Sequence, residues 1–82
     1  SQNYPNPFNP ATTMRYGLPS NARVTLVVYN ALGQEVATLV NADREAGYHV
    51  VRFDASGLTS GAYFYRLKAG DFTETKKLLL LR

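Results

Sequence analysis

The stretch RVTLVVYNALGQ, Arg23–Gln34, decides the fold. Val24, Leu26 and Val28 alternate with Arg23, Thr25, Val27 and Tyr29. This period of two, carried by β-branched and aromatic residues, marks a strand with one face buried. Asn30-Ala31-Leu32-Gly33 then reads as a type I turn, closed by a glycine where the backbone needs φ > 0. A strand followed by such a turn is half a hairpin, so Gln34–Val40 is expected to return as a second strand with Val36 and Leu39 turned inward. Residues 34–46 also contain good helix formers, and a short helical turn at Ala42–Glu45 stays open at this point.

The same period recurs outward in both directions. Met14, Tyr16 and Leu18 alternate with Thr13, Arg15 and Gly17. His49, Val51 and Phe53 alternate with Tyr48, Val50 and Arg52, and Tyr63, Tyr65 and Leu67 with Phe64, Arg66 and Lys68. Pro19 offers no ladder donor, so Leu18-Pro19-Ser20-Asn21 stops a strand. Asp54-Ala55-Ser56-Gly57 suits an Asx turn at Asp54 with a permissive Gly57. Ala69-Gly70-Asp71 suits a tight hairpin into a last strand at Thr73–Arg82. Six or seven short strands at spacings of about 8–12 residues predict an all-β, antiparallel sandwich.

The chain has 82 residues, enough for one domain with a thin core. It has no cysteine, which excludes a disulfide framework and a Cys-ligated zinc site. No segment reaches the ~20 apolar residues of a membrane-spanning helix. The sequence starts at Ser1 without the basic and apolar regions of a signal peptide, as a C-terminal piece of a longer chain also would. The net charge of +3 is unevenly placed. Residues 1–65 hold four arginines against four carboxylates. Residues 66–82 hold Arg66, Lys68, Lys76, Lys77 and Arg82 against Asp71 and Glu74, which is the whole excess. Two readings stand side by side: an address for an acidic partner, or charges that keep an exposed strand soluble and unpaired. From the residues alone the second is preferred.

No catalytic or metal-binding constellation emerges. His49 is the single histidine, and its register with Val51 and Phe53 makes it a half-buried structural residue. Asp54 and Ser56 have ordinary turn roles, and no nucleophile elbow accompanies them. One histidine with scattered carboxylates has no ligand spacing, so no metal and no cofactor is expected; Asp43 and Glu45 read as a solvated loop rather than a calcium site. The isolated turn glycines lack phosphate-loop spacing. The basic residues are not interleaved with an aromatic platform, which argues against nucleic acid. Most of the ten aromatic residues fall at alternating strand positions, where packing uses them. Tyr48 and Phe64 fall out of that register. With Tyr29 they are the candidate contacts for an alternative function, an accessory module that is retained on a secreted protein and that stacks on carbohydrate or spaces domains.

Two segments need a partner. Leu78-Leu79-Leu80-Leu81 is an unbroken apolar run, so both its faces are expected to be covered. Tyr4-Pro5-Asn6-Pro7-Phe8-Asn9-Pro10 is its nearest candidate cover. It holds three of the four prolines, and each X-Pro step forces extended backbone. Residues 1–11 therefore read as a semi-rigid joint to an upstream domain, with Tyr4 and Phe8 plugged into the end of the core, and residues 12–82 as the sandwich.

YPNPFNPATT, then Val28–Val36 (VYNALGQEV), Gly47-Tyr48-His49, Phe53-Asp54, Leu58, Gly61-Ala62-Tyr63 and the basic last strand together resemble the C-terminal sorting domain of type IX secretion, type A. The resemblance covers essentially the whole chain in order. The immunoglobulin-like domain of flagellar hook-capping proteins shares part of the pattern. The resemblance implies an immunoglobulin-like sandwich of about seven strands, with no enzyme activity, that sends a cargo of Bacteroidota or allied phyla through the periplasm and across the outer membrane. It implies as partners the outer-membrane translocon, a surface sortase-like protease and the upstream cargo domain, with no direct membrane insertion, and a product secreted or held at the cell surface. It implies recognition through Gly61 and Tyr63 of the G-x-Y motif and through Lys76, Lys77 and Arg82 of the terminal strand. The resemblance thus reverses the preference for solvated charge. A single Arg82 after Leu81 departs from a longer basic terminus.

Overall fold

The computed structural model describes the backbone of Asn3–Tyr4 and residues 10–81. The strands are β1 (Asn3–Tyr4), β2 (Ala11–Leu18), β3 (Ala22–Asn30), β4 (Glu35–Arg44), β5 (Gly47–Asp54), β6 (Gly61–Ala69) and β7 (Phe72–Leu80), with no helix among the described residues. They form two antiparallel sheets, β1-β2-β5 and β4-β3-β6-β7. With β1, β2 and β5 as strands A, B and E, and β3, β6 and β7 as C, F and G, this is the order of an immunoglobulin-like sandwich, β4 extending the C-F-G sheet.

The β3–β4 hairpin closes as its residues dictate. Gly33 has φ +83° and donates its N–H to the Asn30 carbonyl at 3.0 Å. The Asn30 side chain satisfies the rest of the turn, its Oδ1 accepting from the Leu32 and Gln34 N–H groups, each at 3.0 Å. Beyond the turn β4 departs from simple alternation. Leu26 pairs Val40 but Val27 pairs Thr38, and Val28 pairs Ala37 but Tyr29 pairs Glu35, so Leu39 and Val36 are each an extra residue, a bulge. Val36, Leu39 and Val40 therefore stand at the i, i+3, i+4 spacing that otherwise signals a helix, while the chain stays extended. Val40 is the fully buried one; Val36 and Leu39 are half-buried. No helical turn forms at 42–45: β4 runs through Ala42 to Arg44, held by pairing with Ala22–Val24.

The core lies between the sheets. Met14, Tyr16 and Leu18 of β2 and Phe53 of β5 face Val24, Leu26 and Val28 of β3, Tyr63, Tyr65 and Leu67 of β6, and Leu78 and Leu80 of β7. At ~25 cal/mol per Å² of apolar surface, each such side chain contributes about 1.5–3 kcal/mol, which is how so small a domain holds without cross-links. The four-leucine run alternates like any other strand: Leu78 and Leu80 are fully buried, but Leu79 and Leu81 remain 37% and 56% exposed. Most of the expected cover, residues 5–9, lies outside the described residues; the leader's first strand, β1, pairs with β2 in the other sheet, Asn3 opposite Met14 and Tyr4 opposite Thr13. The plugging of the Tyr4 and Phe8 rings lies outside the described residues. Gly57 has no left-handed φ, so the freedom expected of it is unused.

Candidate functional site

The loop between β5 and β6 is built from short-range hydrogen bonds. Asp54 Oδ1 accepts from the Ser56 N–H at 3.0 Å, the Asx turn its residues suggest. The Ala55 N–H donates to the Pro10 carbonyl and the Leu58 N–H to the Ala55 carbonyl, each at 2.9 Å, which ties the end of the leader to this loop. Gly61 then starts β6 with φ +149°. A Cβ there would meet no atom within 4 Å, so backbone conformation and not space demands glycine. Two residues on, Tyr63 faces the core at 6% exposure, and its hydroxyl donates to the Thr59 carbonyl at 2.7 Å. This is a tyrosine corner, a ring in the core whose hydroxyl grips the backbone just upstream. The G-x-Y pair thus holds the β5–β6 loop on β6, and Tyr63 presents almost nothing to a partner.

The hairpin between β6 and β7 sets the terminal strand. Gly70 has φ +58° and Ala69 pairs Phe72, leaving a two-residue loop. That register places Leu67 opposite Glu74, Tyr65 opposite Lys76 and Phe64 opposite Lys77. Because a strand alternates, the two adjacent lysines separate. Lys76 is on the inner face, in line with Leu78, its Nζ 3.9 Å from Glu74 Oε2. Burial first, and then the negative charge of Glu74, push the Tyr65 hydroxyl up to about 12. Charged side chains turned inward at the margin of a sheet discourage pairing with stray strands. Lys77 stands on the outer face. The terminal lysines therefore do not form one patch, and Arg82 lies outside the described residues.

The three aromatic candidates also separate. Tyr29 and Phe64 are direct cross-strand partners on the outer face of the four-stranded sheet, with the Arg66 guanidinium 5.6 Å from the Tyr29 ring centroid. Tyr48 belongs to the other sheet. It is 93% exposed and lies over Gly17, where a Cβ would come within 3.1 Å of its ring. The ring shields backbone that a glycine leaves bare.

His49 stacks on Tyr16, ring centroids 5.2 Å apart, and its Nε2 lies 2.8 Å from the Glu45 carbonyl oxygen, so Nε2–H donates there. Asp54, five positions along the same strand, points to the opposite face. Among the described residues no three His, Cys, Asp or Glu side chains gather as a metal site. A concavity between the β2–β3 and β6–β7 turns, lined by Leu18, Pro19 and Phe72, carries one cation and one carboxylate, Arg23 and Asp71. Among the described residues no helix is long and apolar enough to cross a membrane.

Sequence reasoning missed the inward Glu74–Lys76 pair beside Tyr65 and the cation over Tyr29. The signal for both was present: once Gly70-Asp71 is read as a two-residue loop, the pairing of every residue of β6 with β7 follows.

Comparison with known proteins returned one family match and nothing among curated proteins or solved structures. The match is to a family described as the secretion system C-terminal sorting domain, and it spans residues 2–81. That span takes in the leader, the tyrosine corner and the closing strand together. The chain accordingly belongs to the secretion system C-terminal sorting domain family, whose members mark a protein for type IX secretion to the cell surface or the medium.

Proposed function

We propose that the domain works by binding alone, presenting its last strand to the outer-membrane translocon as the address of the protein that carries it. The observation that carries this reading is the position of β7. It lies at the margin of the four-stranded sheet, its inner face anchored by Leu78 and Leu80, and its outer face shows Lys77 and Leu79. A strand fixed on the sheet by buried leucines presents its outward side chains to a partner in one defined arrangement. Lys77, Lys76 and Arg82 then supply the charge that recognition uses, with Gly61 and Tyr63 shaping the loop beside it. A sortase-like surface protease acts upstream of the sandwich, and the cargo domain precedes it. The fold contributes no catalytic group to either step.

The test fuses residues 1–82 behind a signal peptide and a fluorescent cargo, in a host with an intact type IX translocon and in its translocon-null twin. Cargo at the surface or in the medium of the intact host alone is the expected result. Cargo held in the periplasm of both overturns the reading and moves the retained accessory module to first place. For that alternative, Tyr29 and Phe64 form one platform, and Tyr48, on the opposite sheet, takes no part in it.

A further inference from the structure

The pleat and the register together sort the excess charge onto one face. The outer positions of β6 are Ala62, Phe64, Arg66 and Lys68, and those of β7 are Thr73, Thr75, Lys77 and Leu79. None is a carboxylate. The two carboxylates of this region are both elsewhere: Glu74 on the inner face beside Lys76, and Asp71 in the hairpin loop. On the neighbouring β3, Arg23 is met by Asp43 at 3.6 Å, which cancels charge at the far corner of the sheet. Next to the cations stand apolar and aromatic groups. Tyr29 pairs Phe64, Val27 pairs Arg66 and Thr25 pairs Lys68. The result is three adjacent rows, Tyr29–Phe64–Lys77, Val27–Arg66–Thr75 and Thr25–Lys68–Thr73. At ~3.4 Å per residue and ~4.8 Å between strands, they cover roughly 14 by 10 Å. The Arg66 guanidinium is held over the Tyr29 ring at 5.6 Å, so this cation is already positioned.

We infer that this outer face of β3, β6 and β7 is a docking surface for an acidic protein surface of the export machinery. The inference rests on the sorting function and adds the place and chemistry of the contact. Charge complementarity selects the occupant: a face with Arg66, Lys68 and Lys77 on β6 and β7, bordered on β4 by Glu35 opposite Tyr29, is net positive, and it attracts carboxylates and repels basic partners. The rings and Val27 supply apolar area at the centre, the arrangement of aromatic and arginine anchors that dominates protein interfaces. Steering by such a patch acts mainly on the rate of encounter and weakens with salt.

The test uses the cargo fusion in the intact host, with three forms of the domain: wild type, Arg66→Glu with Lys68→Glu, and Arg15→Glu with Arg52→Glu. The last pair sits on the outer face of the three-stranded sheet and makes the same change in net charge. The inference expects the first pair to slow export about tenfold, the second pair to leave it within about twofold, and all three domains to melt within a few degrees of one another. Equal export by the two pairs overturns the inference while leaving the sorting function intact; failure of the wild type to export strikes at the sorting function itself. A second arm titrates the purified 82-residue chain with polyglutamate and with polygalacturonate at matched charge. Salt-sensitive binding of polyglutamate, lost in Arg66→Glu with Lys68→Glu, supports an acidic protein surface. Tighter binding of polygalacturonate assigns the face to an acidic saccharide and overturns the inference.

Discussion

Tyr63→Phe separates two roles of the G-x-Y motif, reading by a partner and construction of the loop. The substitution keeps the ring, which is 6% exposed, and removes only the hydroxyl that donates to Thr59 at 2.7 Å. A hydrogen bond of this kind contributes about 0.5–1.5 kcal/mol net. Thr59 is exposed, so water can satisfy its carbonyl once the hydroxyl is gone, which keeps the loss near ~1 kcal/mol. For a domain of this size that lowers the melting temperature by about 4–8 °C. Export at a temperature well below the transition should then be unchanged, because the fold persists and nothing accessible has been altered. The assay pairs thermal unfolding of the isolated chain with cargo export from the intact host. Unchanged melting with lost export would refute the reasoning, since the hydroxyl would then be read directly by the translocon. The companion change Gly61→Ala asks the same question through the backbone. It forces a Cβ into φ +149°, at a cost of about 1–3 kcal/mol, with no clash to relieve.

Two further results follow from the closing strand. The Tyr65 pKa is raised from 10.0 to about 12, so ionisation is resisted in the folded state. The stability this brings is fully present below pH 10 and is lost as pH climbs toward about 12; neutral and acidic conditions should show none of that loss. In Glu74→Gln the smaller of the two causes is removed, so the slowest-titrating tyrosinate absorbance should appear at lower pH, yet still above 10. Superimposable titration curves for the two proteins would show that Glu74 does not act on Tyr65. The lysine pair gives the other result. Lys76→Glu sets a second carboxylate beside Glu74 on the inner margin and should cost about 1–2 kcal/mol, whereas Lys77→Glu, on the outer face, should stay within ~0.5 kcal/mol by denaturant unfolding. Equal losses would mean that the pleat does not divide them.

The sandwich was legible because its strands obey one rule. Wherever a β-branched or aromatic residue recurs at every second position between turn residues, as in Val24–Val28 or Tyr63–Leu67, burial of one face is the only economical outcome. The turns at Gly33 and Gly70 were legible for a related reason: positive φ is available to glycine at little steric cost. β4 was less legible because two bulges, at Val36 and Leu39, shift its side chains out of alternation and imitate helical spacing. That pattern is meaningful only against β3, the strand it must follow.

The sequence by itself determined the strand class, the turn positions and the location of the charge excess in residues 66–82. These are properties of neighbours along the chain, where sterics and side-chain period act locally. Tertiary structure decided what those residues face. It turned Lys76 inward and Lys77 outward, put Tyr29 beside Phe64 and Tyr48 on the opposite sheet, and left Leu79 and Leu81 partly exposed. Each of these depends on which strand lies beside which. Pairing joins residues far apart in sequence, and a shift of one residue would exchange the two faces of a strand.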